Sequence, residues 1–350
     1  MKSLLQTPEW VSLKVGQGWK SHDVEGIFVL EKPLPFGRSF LYAPEVTWSD
    51  LTSHPEAEPK DLSRMGVAAS AADSSLAAQN DIHNFLQKLQ KNIKKNGTIF
   101  FRLEFIDENS SEIVKKLREN KFIKAFEELQ PEWRQIIDIS KSEEEILAQM
   151  KPKGRYNIKI AQKHGLEKSK IKDQRSKIDI FYQLYQETAR YQKLSIRNKQ
   201  YFIDMVEALE PKDEIAIIIA EYQGQPLAAL LVTFYDKVAS YLYGGTSREN
   251  KQVMAPYLAH WAAIQEAKRR GCIKYDMLAV SPDVIASDSE AIFRSPRPGG
   301  VRDDKHKYDN LTRFKEQFGG KKVNITGSYD LVYKPGWYRL FKFVEQYRRK

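Results

Sequence analysis

Cysteine is all but missing from this sequence. Cys272 stands alone among 350 residues, so no intrachain disulfide can form and no cysteine cluster can hold a metal. Long apolar runs are missing too. No stretch approaches the roughly 18 apolar residues of a membrane span, and the opening Met1-Lys-Ser-Leu-Leu-Gln-Thr-Pro8 lacks the apolar core of a secretion signal. A cytoplasmic chain is expected, with any membrane contact peripheral. The six histidines are scattered. No Ser/His/Asp or Cys/His set is legible, and each histidine reads as a surface or packing residue.

What is present suits folded domains. Hydrophobic residues make up 41% of the chain, with 17 Tyr and 17 Phe, which supplies real cores and excludes global disorder. A chain of this length suits two domains better than one core. Lys and Arg number 56 against 46 Asp and Glu, a net charge of +10. That excess favours a polyanionic partner: nucleic acid, an anionic membrane face or a phosphate-bearing substrate.

Strand and helix signals alternate in two similar halves. Strands are expected at Gly26–Glu31, Arg38–Tyr42, Thr98–Phe105 and Gln135–Ile139, with helices near Asp81–Lys95, Ser111–Asn120 and Ser142–Ala148. Residues 66–78, rich in Gly, Ala and Ser, read as a loop or insertion. After Pro152 a basic helix runs to His164-Gly165. Helices at Lys177–Gln192, Lys199–Leu209 and Pro256–Arg270 then alternate with strands at Glu214–Tyr222, Pro226–Phe234, Val238–Tyr243 and Lys274–Leu278. Gly224 supplies a hairpin turn. Ser281–Asp309 reads as a long loop, and Gly336–Lys350 as an aromatic, basic helix that packs on the first domain.

Several residues have both an ordinary and a functional reading. Lys315, between Phe314 and Phe318, is either a snorkelling lysine or an ammonium aimed at a substrate. Lys14 follows Trp10 by four residues and reads alone as an exposed helix lysine. Arg197 and Tyr201, also four apart, offer a stack or a joint phosphate contact. Tyr241 and Tyr243 share one face of a regular strand, as do Arg102 and Glu104, which read most simply as an ion pair. Arg155, Lys159 and Lys163 form a basic stripe behind Lys151 and Lys153, usually a solvated face.

Motifs in chain order carry a resemblance. They are Met150-Lys-Pro-Lys-Gly-Arg155-Tyr-Asn-Ile-Lys, Tyr241-Leu-Tyr-Gly-Gly-Thr-Ser-Arg248, Met254-Ala-Pro-Tyr257-Leu, Arg270-Gly-Cys-Ile-Lys-Tyr-Asp276 and Leu311-Thr-Arg-Phe-Lys315-Glu-Gln-Phe-Gly-Gly320. Together they resemble the Fem (FemABX) family of tRNA-dependent aminoacyltransferases that build peptidoglycan interpeptide bridges. The resemblance implies an α/β fold of two tandem domains like GCN5-related acetyltransferases (GNAT), with mixed sheets flanked by helices. The first would be residues 1–150 plus 335–350, the second 151–334.

It also implies transfer of an amino acid from aminoacyl-tRNA to the stem peptide of UDP-MurNAc-pentapeptide or lipid II, without cofactor or metal. On that reading Lys315 is the oxyanion partner and Lys14 meets the sugar-nucleotide phosphates. Arg197 and Tyr201 bind phosphate, Tyr241, Tyr243 and Tyr257 meet substrate, and Glu104 occupies an acidic site-shaping position. The Arg155, Lys159 and Lys163 stripe meets tRNA or anionic lipid at the inner membrane face. Two alternatives stay open: an acyl-CoA N-acyltransferase of the same fold, and a noncatalytic nucleic-acid or membrane-surface binder. The loop Ser247–Pro256 weighs against coenzyme A, because it has no glycine to cradle a pyrophosphate and Pro256 offers no N–H.

Overall fold

Strands form where β-branched and aromatic residues cluster, and helices where apolar residues return every three or four positions. The computed structural model describes residues 2–52, 82–91, 93, 97–169, 171, 173–282 and 305–348. It divides into two units, Met1–Glu132 with Ile325–Lys350, and Trp133–Asn324. These limits differ from the expected 150/151 and 334/335. The cause is the strand Trp133–Asp138, which pairs antiparallel with Lys274–Ala279 and so places residues 133–150 in the second unit.

In chain order the elements are α1 (Pro8–Gly16), β1 (Lys20–Val24), β2 (Ile27–Leu34), β3 (Arg38–Val46), α2 (Trp48–Thr52), α3 over 82–91, β4 (Thr98–Glu108), α4 (Ser111–Glu119) and β5 (Ile123–Lys124). They continue with β6 (Trp133–Asp138), α5 (Glu143–Gln149), α6 (Pro152–Lys163), β7 (Glu167–Lys168), α7 (Gln174–Gln192) and α8 (Lys199–Leu209). Last come β8 (Ile215–Tyr222), β9 (Gln225–Tyr235), β10 (Val238–Thr246), α9 (Ala255–Arg269), β11 (Lys274–Ala279), α10 (Lys305–Lys315), β12 (Lys321–Val332) and α11 (Pro335–Arg348).

In the first unit the strand order is β1-β2-β3-β4-β12, with only β3 and β4 parallel. One sheet face buries Leu41, Leu103 and Phe105 under the apolar side of α3, where Ile82, Phe85, Leu86 and Leu89 recur at helical spacing. The other face buries Phe40, Tyr42 and Phe100 against Tyr338 of α11. Both faces being covered explains why β3 is buried from Ser39 to Val46.

The second unit runs β7-β8-β9-β10-β11-β6, ending on Lys321–Asn324 of β12. Its one parallel pair is β10–β11, joined through α9, whose Leu258, Trp261 and Ile264 share a core with Ile218, Leu230 and Val232. The β8–β9 hairpin turns at Gln223 and Gly224, both at positive φ (52° and 78°), the backbone of a type I′ turn.

Some elements were not anticipated. The pattern missed β1 and β12, and the expected 281–309 loop gives way to α10 at Lys305. The expected 66–78 insertion and residues 283–304 of that loop lie outside the described residues. The helix Pro152–Lys163 is as expected, with Pro152 in its first turn where a missing N–H costs nothing.

A buried ion network holds the first unit together. Arg102, wholly buried, donates from Nε and Nη2 to the two carboxylate oxygens of Asp330 at 2.7 and 2.8 Å, and from Nη1 to Glu127 at 3.0 Å. Tyr338 Oη donates to Asp330 at 2.6 Å. The expected Arg102–Glu104 pair is not formed. Glu104 accepts instead from Tyr42 Oη, from Ser328 Oγ at 2.9 Å and from the Gln130 backbone N–H at 3.2 Å. Arg102→Ala strands two carboxylates in the core, and breaking a buried pair this way costs about 3–5 kcal/mol. Urea unfolding followed by the near-ultraviolet signal of the aromatic core should show that loss. A change below about 1 kcal/mol, the range of exposed pairs, would contradict the network's structural weight.

Candidate active site

The site is built around two irregular strands of the second unit. Along β10 the pairing with β9 slips between Tyr241, opposite Val232, and Tyr243, opposite Leu231. Two residues of β10 therefore advance against one of β9, a β-bulge. The bulge places Tyr241 and Tyr243 on opposite faces, correcting the expectation that they share one. Tyr241 meets His260 of α9 with ring centroids 4.7 Å apart. Tyr243 meets Tyr185 of α7 and Phe202 of α8, at 6.0 and 5.1 Å.

Two glycines make this packing possible. A Cβ on Gly244 would lie 2.3 Å from Tyr241 Oη, so the tyrosine folds back over a position that only glycine leaves open. A Cβ on Gly245 would lie 2.3 Å from the backbone of Leu184 and Tyr185, so α7 rests directly on β10.

The second irregular strand is β11. Its pairing with β6 slips between Asp276 and Ala279, and Leu278 between them has φ +55°, a left-handed conformation uncommon outside glycine. Asp276 holds that turn by accepting from the Leu278 N–H at 2.7 Å, and takes Arg134 Nη1 at 3.2 Å on its other oxygen. The distortion turns the Ala279 carbonyl toward Lys315, whose Nζ donates to it at 2.8 Å.

Lys315 ends α10 and is 3% exposed, so the exposed lysine of the snorkelling reading is not what the fold provides. Among the described residues only the Ala279 carbonyl accepts from its ammonium, which has three N–H groups. The Tyr241 ring centroid lies 5.8 Å from Nζ. Burial lowers the Lys315 pKa from 10.5 to about 8, with Asp276 opposing the shift. Burial lifts Tyr241 to about 12. His260, buried and facing the Lys315 charge, is lowered to about 3 and stays neutral at physiological pH. Its Nδ1 shares a hydrogen bond with Tyr275 Oη at 3.0 Å. His260 is thus a packing residue, in keeping with the sequence reading.

Tyr257, at the start of α9, completes the wall. Its hydroxyl donates to Gln317 Oε1 at 2.8 Å, and its ring packs on Phe314 and Phe318 at 5.1 and 5.7 Å. The turn carrying Lys315 is seated by Gly154 of α6, where a Cβ would lie 2.2 Å from the Gln317 carbonyl. Lys315, Tyr241, His260 and Tyr257 are therefore one cluster. Sequence reasoning missed Asp276 and Ala279 as its supports. The signal was faint, an acidic residue ending an apolar strand in Lys274-Tyr-Asp276.

The other expected residues lie elsewhere. On the opposite face of the second-unit sheet, Tyr201 Oη accepts from Tyr243 Oη at 3.5 Å, and burial beside Tyr243 raises its pKa. Arg197 is exposed just ahead of α8, its guanidinium 5.3 Å from the Tyr201 ring. The pair stacks, and Arg197 stands outside the helix on which shared spacing was expected to align them. On α6, Lys159 and Lys163 are exposed. Arg155 donates to the Met150 carbonyl and to Ala148 O at 3.2 Å, closing the end of α5, so the stripe loses one member to structure. In the first unit Lys14 sits over the Trp10 ring at 4.9 Å and donates to Gln17 at 3.3 Å, and Glu104 lies in the buried network described above.

The loop between β10 and α9 has little backbone to offer a pyrophosphate. Its N–H groups at Ser247, Arg248, Glu249, Val253 and Met254 already donate to Leu227 O, Glu187 Oε1, Ser247 Oγ, Asn250 O and Lys251 O, at 2.7–3.2 Å. One of those acceptors is the Glu187 carboxylate, which repels an anion.

The Lys315 shift has a measurable sign. Between pH about 8 and 10.5 the folded chain has released this proton while the unfolded chain keeps it. Stability therefore rises with pH across that window, and the full burial cost is present below about 8. Measured against Lys315→Met, which cannot titrate, wild type should gain relative stability from pH 8 to 10 and show a flat difference from 6 to 7. A difference that stays flat through pH 10 would show that Lys315 titrates as an ordinary surface lysine.

Comparison with known proteins agrees with this architecture. The FemAB family matches residues 120–223 and 212–346. No protein with a curated description matches the chain. Among solved structures, FemX superposes with a TM-score of 0.72 at 16% identity, over 97% of this chain and 94% of FemX. A conserved protein of unknown function from Bacteroides thetaiotaomicron gives 0.51 at 10% identity, covering 93% and 90%. The C-terminal domain of a protein described as a lysylphosphatidylglycerol synthetase, from Agrobacterium fabrum, gives 0.50 at 9% identity, covering 93% and 86%. At these identities the structures speak for the fold, and the family match covers well over half the sequence. The chain belongs to the FemAB family.

Proposed function

We propose that this chain moves an amino acid from aminoacyl-tRNA to the stem peptide of a peptidoglycan precursor by aminolysis of the ester. Membership of the FemAB family supports the broader part of the reading, a transferase of peptidoglycan bridge synthesis. The observation that carries the chemistry is the buried Lys315 ammonium, with one of its three N–H groups engaged by the Ala279 carbonyl.

In this reaction the stem-peptide amine attacks the ester carbonyl carbon. The carbonyl π electrons move to oxygen, giving a tetrahedral oxyanion, and its collapse breaks the bond to the ribose oxygen. The amine gives up a proton and the ribose oxygen gains one. No enzyme nucleophile is needed. The protein must hold the reactants together and oppose the charge that develops on oxygen. An ammonium in a dry pocket does this better than one in water, because a low local dielectric strengthens the attraction. With a pKa of about 8 it stays protonated at neutral pH. Tyr241, whose ring centroid lies 5.8 Å from the ammonium, is proposed to meet substrate at the same site.

The donor reading draws on the β10–α9 loop, whose spent N–H groups and Glu187 carboxylate disfavour the pyrophosphate of coenzyme A. Lys14 and the exposed Arg197 are proposed as phosphate contacts of the precursor, and Tyr201 and Tyr243 as the surface next to Arg197. Lys159 and Lys163 are proposed to meet tRNA phosphates, a contact that salt weakens steeply.

Incubating the protein with tRNAs charged with glycine, alanine or serine, and with UDP-MurNAc-pentapeptide or lipid II, should add the mass of one amino acid to one acceptor. No mass gain with any pair, together with micromolar binding of acetyl-CoA by calorimetry, would replace this reading with acyl-CoA chemistry. Lys14→Ala and Arg197→Ala should each raise KM for the precursor more than they lower kcat, since such contacts hold ground and transition states alike. A lost charge-assisted contact costs about 1.5–3 kcal/mol. Unchanged KM in both variants would place the phosphates elsewhere.

A further inference from the structure

We propose that α11 lies on a lipid surface, its outer apolar face and the neighbouring Phe36 seated among the acyl chains of an anionic membrane. The inference does not depend on the transfer reaction proposed above.

The helix has two apolar sides. Tyr338, with Trp337 and Phe341 beside it, packs on Phe40, Ile99 and Phe100 and anchors the helix to the first unit. The other side carries Leu340, Phe343, Val344 and Tyr347, which are 49%, 68%, 43% and 74% exposed. Their spacing of three, four and seven residues makes one stripe. The inner side already anchors the helix, so the stripe adds nothing to folding, and contiguous apolar surface of this kind marks an interaction site.

Phe36 extends the patch. It stands at the tip of the β2–β3 turn, 84% exposed, with its ring 6.3 Å from Trp337. Its φ is +61°, a conformation that turns usually give to glycine or asparagine. A bulky aromatic is thus held out to solvent where a small polar residue would be ordinary.

Charge selects the occupant. From Lys334 to Lys350 the sequence has six basic residues (Lys334, Arg339, Lys342, Arg348, Arg349 and Lys350) against one acid, Glu345. A second copy of the same face would bring two such basic segments together. An anionic bilayer meets both halves of the pattern, with acyl chains for the aromatic stripe and phosphates for the lysines and arginines. Among the described residues no helix is long and apolar enough to cross a membrane, so α11 would lie in the interface.

The test is flotation of the full chain with vesicles of phosphatidylcholine alone and of phosphatidylcholine containing phosphatidylglycerol. Wild type should float with the second and less with the first, and added salt should release it. Phe343→Ser combined with Tyr347→Ser should weaken partition by about tenfold or more, given the apolar area removed. Its melting temperature should stay near wild type, because the stripe is exposed. Phe36→Ser gives an independent variant remote in sequence and should weaken partition in the same direction. Wild type failing to float with phosphatidylglycerol vesicles, or stripe variants floating as well as wild type, would overturn the proposal. So would stripe variants that float unchanged but convert a dimer to a monomer, which would assign the face to a second copy.

Discussion

The second unit is organised around a positive charge kept out of water. Moving an ammonium from water into a protein interior costs several kcal/mol unless polar groups meet it there, and Lys315 is 3% exposed. The neighbouring strand supplies the compensation by giving up its regularity. Asp276 draws Leu278 into a left-handed turn, the β11 ladder slips, and the Ala279 carbonyl turns to the ammonium. Burial holds the lysine pKa low, with Asp276 opposing the shift, and Asp276 also takes Arg134 at 3.2 Å. Strain of this kind persists where the surrounding structure imposes it, and it concentrates at functional sites.

The first unit handles the same problem differently. Arg102 is as deeply buried, but two carboxylates and a tyrosine-supported fork satisfy it. Its guanidinium is held above its ordinary pKa by Asp330 and Glu127 despite the opposing effect of burial, so it can neither titrate nor turn to a ligand. The contrast separates a charge committed to the fold from one proposed to act on substrate. Arg102 directs three of its five N–H donors to two carboxylates of the fold, whereas Lys315 directs one to a carbonyl among the described residues.

Much of this was legible in the sequence because local signals were strong. The α3 face of Ile82, Phe85, Leu86 and Leu89, the Gly224 hairpin and the paired α/β halves follow from periodicity and turn chemistry. Lys315 stood out through its motif. What the pattern could not show were departures from regularity. Period-two reasoning put Tyr241 and Tyr243 on one face, and a single bulge separated them. Arg102 and Glu104 do alternate correctly, yet their partners, Asp330 and Ser328, are more than 200 residues away in β12, a strand whose polar and glycine-broken sequence hid it. The unit boundary moved for the same reason, since β6 and β12 are placed by long-range pairing.

The central claim is that the Lys315 ammonium opposes the charge of the tetrahedral intermediate. Single-turnover transfer, with aminoacyl-tRNA and precursor both saturating, measures that step directly. Loss of one such donor typically lowers the rate by about 10²–10³, and Lys315→Ala should show it while both substrates still bind. Lys315→Ala transferring within about threefold of wild type, far inside that expected loss, would contradict the account and leave substrate positioning alone to explain catalysis.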